Sequence, residues 1–120
     1  MAFPIINFKV GSDEVTEAHK ELATSKLSSL ERHITGTATV CDVEFEKITN
    51  QQSGNVYRVE TNLSVDGKLY RAEATSDSFE KAIDMMRNEI DKEIRRASSK
   101  RETLFKRGGR KIKEMLNFGG

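Results

Sequence analysis

Cysteine is nearly absent from this 120-residue chain. Its one thiol, Cys41, cannot close an internal disulfide, as expected in a reducing compartment. Long hydrophobic runs are missing too. No apolar stretch approaches the roughly 18 residues of a membrane span, and the opening "MAFPIINFKV" lacks the length and basic flank of a secretory signal. The expectation is a cytoplasmic protein without a membrane partner. His19 and His33 have no cysteines at metal-ligand spacing and no evident Ser or Cys nucleophile. "KRGGRK" (106–111) has glycines and cations but not the strand–loop–helix setting of a phosphate loop. Together these gaps argue against an enzyme and a metal site, and no small-molecule substrate is expected.

What is present is charge, unevenly placed. The formal net charge is +1, yet residues 1–86 hold 9 basic and 14 acidic side chains, and residues 87–120 hold 11 basic and 5 acidic. The segment "RRASSKRETLFKRGGRKIK" (95–113) alone has nine Lys or Arg. Such a split points either to a polyanion partner or to a solvated helix face followed by a basic tail.

The hydrophobic pattern predicts an α+β domain of order β-α-β-β-β-α. "PIINFKV" (4–10) is a short β-rich run. Ser12 or Asp13 is the expected cap of a helix over about 13–33, with Val15, Ala18, Leu22, Ala23, Leu27, Leu30 and Ile34 at helical spacing. Residues 39–48 alternate, with Cys41, Val43 and Phe45 inward and Asp42, Glu44 and Glu46 outward. Residues 56–65 alternate again, and Asp66-Gly67 is a strong hairpin signal. The implied register sets Val65 opposite Lys68, Leu63 opposite Tyr70, Thr61 opposite Ala72 and Val59 opposite Ala74. It also faces Glu60 with Glu73, a repulsive pair that Arg58 and Arg71 can reach diagonally.

A long helix is predicted over 75–107, with Asp77 and Glu80 as a capping box. Phe79, Ala82, Ile83, Met86, Ile90, Ile94 and Ala97 form its apolar stripe, and Lys92, Arg95, Arg96 and Lys100 fall opposite. One four-stranded sheet with both helices on one face buries every apolar side named, a layout resembling a double-stranded RNA-binding domain. The domain is expected to span 1–107, and 108–120 to be a basic, flexible tail.

Cys41 is expected to be a buried structural thiol, His33 a contact at a helix end, and Asp42, Glu44 and Glu46 a solvated face. The helical cations carry the functional signal. The candidate RNA contacts are Lys26, Arg32, Arg87, Lys92, Arg95, Arg96, Lys100, Lys106, Arg107, Arg110 and Lys111. Lys and Arg supply sequence-independent affinity through phosphate contacts. Tyr57, Tyr70, Phe45 and Phe79 are assigned to the core, so no exposed aromatic row is available to stack on single-stranded bases. Folded RNA read by shape and backbone is the expected ligand.

Two segments resemble the family of ribosome hibernation promoting factors and ribosome-associated inhibitors, also called the sigma-54 modulation family. "SKLSSLERHI" (25–34) is similar to the family's first-helix ending through Lys26, Leu27, Leu30, Arg32 and His33. "YRAEATSDSFEKAIDMMRNEIDKEIRRASSK" (70–100) resembles its R-A-E segment, then an aspartate and an aromatic ahead of A-I-D, then a basic helix. The matching residues are Arg71, Ala72, Glu73, Asp77, Phe79, Ala82, Ile83 and Asp84. The resemblance implies a translation inhibitor, with no reaction and no cofactor, that silences and protects idle ribosomes in stationary phase or stress. Its implied partner is the small ribosomal subunit, at the cleft for mRNA and the A- and P-site tRNAs, contacted through ribosomal RNA. The chain departs from the family pattern in two ways: it has no C-terminal dimerisation domain as in the long members, and a basic stretch continues past the helix where short members end. These give the expectation of a short form, monomeric when free, with the stalling of single ribosomes and the pairing of ribosomes both open. The open alternatives are a module for some other structured RNA and a protein-interaction domain whose basic tail matters little.

Overall fold

A computed structural model describes residues 3–48 and 54–106, with side chains in the final helix described up to Ala97. The order is β1 (Ile6–Val10), α1 (Glu17–Ser28), a 3-10 turn (Glu31–His33), β2 (Ala38–Lys47), β3 (Tyr57–Val65), β4 (Lys68–Ser76) and α2 (Phe79–Lys106). The strands form one sheet in the order β1-β2-β3-β4. β1 runs parallel to β2, and the other neighbours are antiparallel. This is the expected α+β layout. The expected tail at 108–120 lies outside the described residues.

The hairpin register is as the sequence implied. Val65 pairs with Lys68, Leu63 with Tyr70, Thr61 with Ala72 and Val59 with Ala74. Asp66 and Gly67 both have positive φ, 50° and 80°, which matches the twist of the strands they join. The Asp66 carboxylate accepts from the Thr37 N–H at 3.0 Å, tying the turn to the start of β2. Gly36 makes this possible: its φ is +120°, and a Cβ there would lie 2.0 Å from the Asp66 carboxylate.

Both helix starts differ from expectation. α1 is capped by Thr16, whose side chain accepts from the His19 N–H while His19 Nδ1 accepts from the Thr16 N–H. Ser12 instead caps a preceding turn, accepting from Glu14 N–H at 3.2 Å. α1 also ends earlier, at Ser28, and a 3-10 turn carries the chain over Arg32 and His33. At α2 the cap is Ser78, which accepts from the Lys81 N–H at 3.2 Å; Asp77 is occupied by an ion pair with the Lys81 ammonium. Ser and Asp at adjacent positions both suit a cap, and the backbone angle at the helix entry decides between them.

The core lies between the helices and one sheet face. Leu27, Leu30, Cys41, Phe45, Val59, Leu63, Ile83, Met86 and Ile90 are fully buried. Phe79 stands at its end, with ring centroids 4.8 Å from Tyr57, 5.4 Å from His19 and 5.6 Å from Phe45. Thr61, whose hydroxyl is fully buried, donates to Met86 Sδ at 2.9 Å. Burial pushes the Cys41 thiol up to about 12, so it stays protonated and inert.

Neither described helix lies on the outer sheet face, which is held by ions. Arg58 reaches Glu44 at 3.4 Å, Glu46 at 3.3 Å, Glu60 at 2.8 Å and also Glu73. Arg71 donates to Glu60 at 2.9 Å. The facing Glu60–Glu73 pair is thus neutralised by the two arginines expected to reach it. Asp42 accepts from Asn7, and Glu44 also pairs with Lys9. Burial pushes the Glu60 carboxyl up, but hydrogen bonding from Arg71 and the charge of Arg58 outweigh it and hold the group below its ordinary value.

Two outcomes are expected. Ile90→Ala should destabilise the fold by about 2–5 kcal/mol in urea titrations. Glu60 ionises more readily in the folded chain than in the unfolded one. Its stabilisation is therefore present above the ordinary value of 4.5 and is lost as pH falls through the depressed folded value. Glu60→Gln should lower stability at pH 7 and flatten the acid limb of the stability–pH curve; an unchanged limb would remove Glu60 from the network.

Candidate nucleic-acid interface

α1 and α2 lie side by side over the sheet, and their outer sides form the surface opposite the acidic sheet face. Each described candidate can be placed on it. Lys26 projects from the last turn of α1 and pairs with Asp84 of α2 at 2.9 Å. Arg32 stands exposed in the 3-10 turn, with no ion pair among the described residues. Arg87 leans into the seam between the helices, reaching Asp91 at 3.4 Å and Ser29 Oγ at 3.4 Å. Arg95 donates to Asp91 at 3.1 Å and meets His33 Nε2 at 3.3 Å. Lys92 pairs with Glu89 at 3.3 Å and Arg96 with Glu93 at 3.1 Å. The α2 backbone carries Lys100 and Lys106, whose side chains lie outside the described residues, as do Arg107, Arg110 and Lys111 altogether.

The helical projection is therefore right about which face is wet, since Lys92, Arg95 and Arg96 are all exposed. The cations nonetheless separate into two groups. Lys26, Arg87 and Arg95 gather along the α1–α2 seam. Arg96 lies on the far flank of α2, where it joins Lys68, Leu69, Tyr70, Arg71, Glu93 and Ala97 around a hollow of about 280 Å³ beside the hairpin. Lys68 and Arg71 were missed as candidates. In sequence they read only as strand positions, and nothing local says that a strand edge will meet the helix flank.

The pairing also changes the electrostatics. Within Phe79–Ala97 the cations Lys81, Arg87, Lys92, Arg95 and Arg96 are equalled in number by Glu80, Asp84, Glu89, Asp91 and Glu93. This part of the ridge is a lattice of ion pairs, and the positive excess of the last third of the chain begins after Ala97. Exposed pairs of this kind are worth at most about 1 kcal/mol, so a phosphate can displace the carboxylate partner cheaply. The described aromatic side chains sit in the core or pack against it, which leaves none presented for base stacking. A surface of exchangeable cations without stacking platforms suits a backbone-contacting, shape-reading interface.

The histidines take structural places. His19 joins the α1 cap and contacts Glu80 at 3.3 Å, and His33 supports Arg95. No cluster of His, Cys, Asp or Glu suited to a metal occurs among the described residues.

A family model described as "Sigma 54 modulation protein / S30EA ribosomal protein" matches residues 6–102. No curated protein of matching sequence was found. Among solved structures, a ribosomal subunit interface protein from Coxiella burnetii is 18% identical, with a TM-score of 0.62, covering 78% of this chain and 97% of that one. The N-terminal domain of Protein Y from Thermus thermophilus is 23% identical, also at 0.62, covering 76% and 96%. At these identities the two structures bear on the fold, which they share.

Replacing Lys92 and Arg96 together by alanine should change folding stability by about 1 kcal/mol or less, because both ion pairs are exposed. A loss comparable to that of Ile90→Ala, read in the same urea titration, would show that the outer face of α2 is misplaced.

Proposed function

This chain belongs to the Sigma 54 modulation protein / S30EA ribosomal protein family, and on that premise we propose that it is a ribosome-associated translation inhibitor, a hibernation factor of idle ribosomes. The family match over residues 6–102 carries the proposal. Its partner is the small subunit, at the cleft for mRNA and the A- and P-site tRNAs, and it acts by occupancy, without a reaction. The outer side of α1 and α2 faces ribosomal RNA through Lys26, Arg32, Lys92, Arg95 and Arg96. Arg87, with a side chain only 19% exposed, serves more as a strut than as a contact. Lys100, Lys106, Arg107, Arg110 and Lys111 add sequence-independent attraction while the folded domain sets position. The protein is a monomer when free and works in the cytoplasm.

Sedimentation with purified small subunits tests this. Affinity should fall by orders of magnitude between roughly 50 and 200 mM salt if several cations each neutralise a phosphate. Removing residues 108–120 should weaken binding without abolishing it and leave the melting temperature nearly unchanged. Binding that is flat across the salt range would exclude the helix cations as the main contact. Equal affinity for an unrelated structured RNA would favour a general RNA-binding module.

A further inference from the structure

We propose that Asp91 is the positioning residue of this interface: its carboxylate holds Arg95 in place, with Arg87 as a brace, at the seam between α1 and α2. The proposal rests on the ribosomal RNA reading above and adds how that surface is organised.

Asp91 stands apart from the other acidic partners on α2. The exposed pairs Lys92–Glu89 and Arg96–Glu93 have both members in solvent, whereas the Asp91 side chain is 12% exposed. Burying a carboxylate is unfavourable unless it is fully engaged. Here it is engaged on both sides, by Arg87 one turn earlier and Arg95 one turn later. A helical pair at that spacing contributes too little to helix stability to explain the burial.

Two further features point to function. First, the remaining ion pairs of α2 among the described residues are one to one, and their charges cancel. Asp91 is shared between two guanidinium groups, so the seam stays positive after pairing, and an anion can approach without breaking any contact. Second, the contacts run on across the seam. Arg87 Nη2 donates to Ser29 Oγ, and Ser29 Oγ donates to the Lys26 carbonyl at 2.6 Å. Arg95 Nη2 meets His33 Nε2. Arg95 thus spends Nε on Asp91 and Nη2 on His33, and its Nη1 has no protein partner among the described residues. With its side chain 60% exposed, it presents a pre-ordered donor to a phosphate. Ordering that side chain beforehand removes part of the entropy lost on binding.

The sign of one measurement decides the matter. Asp91→Asn removes a negative charge from a surface that faces a polyanion. If only the charge count matters, it tightens binding to small subunits. If Asp91 positions Arg95, it weakens binding, by about three- to ten-fold for one or two arginines left unordered. Glu89→Gln, the same charge change at an exposed partner, is expected to tighten binding. In an Arg95→Ala background, Asp91→Asn should lose most of its weakening effect, an outcome that general loosening of the helices would not produce. Tightening by Asp91→Asn to the same degree as Glu89→Gln would overturn the proposal and leave the RNA interface standing. Absence of salt-dependent binding by the unmodified protein would overturn both. Should Asp91→Asn fail to fold, Arg95→Lys decides: it keeps the charge but loses the Nε donor. A loss close to that of Arg95→Ala supports positioning, and unchanged affinity contradicts it.

Discussion

Everything in this molecule depends on the apolar stripe of α2 lying against one face of the sheet. Phe79, Ala82, Ile83, Met86, Ile90 and Ile94 are all buried there, and each large side chain contributes about 1.5–3 kcal/mol. A helix that buries one side over roughly four turns has no choice about the other. Asp91, Lys92, Arg95 and Arg96 are forced outward or into the seam because Ile90 and Ile94 point inward. The binding surface is the remainder left by the core.

The same constraint shapes the uncovered sheet face. Both helices take one side, so the other must be wet, and alternation fills it with charge. Arg58 sits among four carboxylates, and Arg71 and Lys9 offset only part of the remaining negative charge. Opposite faces of one small domain therefore differ in kind. The sheet face is a closed and acid-rich network, whereas the helical face carries exposed one-to-one pairs and one shared carboxylate. A polyanion approaching the domain is repelled by excess carboxylate on the first and finds exchangeable partners on the second.

Much of this was legible in the residues. The hairpin register followed from Asp66-Gly67 and strict alternation, because a one-residue slip would have put Leu63 and Tyr70 in water. The inward set of α2 followed from its period. The caps were less legible: Ser12, Asp13 and Thr16 are all competent, and only the path of the chain selects Thr16. Pairing on the helix surface was harder still. Lys92, Arg95 and Arg96 look like a bare basic ridge when only cations are counted, yet Glu89, Asp91 and Glu93 interleave with them at one-turn spacing. That Asp91 serves two arginines, and that Arg87 and Arg95 reach Ser29 and His33, depends on α1 lying alongside, which no local pattern specifies. The hollow joining Lys68 and Arg71 to Arg96 has the same tertiary origin.

The central claim is that the helical face, not the sheet face, meets ribosomal RNA. Photo-crosslinking tests it directly. A photoreactive side chain would be placed at position 92 in one variant and at position 73, on the sheet face, in another, each bound to small subunits and irradiated. The expected result is crosslinking to ribosomal RNA from position 92 and little from position 73. Crosslinking to RNA chiefly from position 73 would contradict the account.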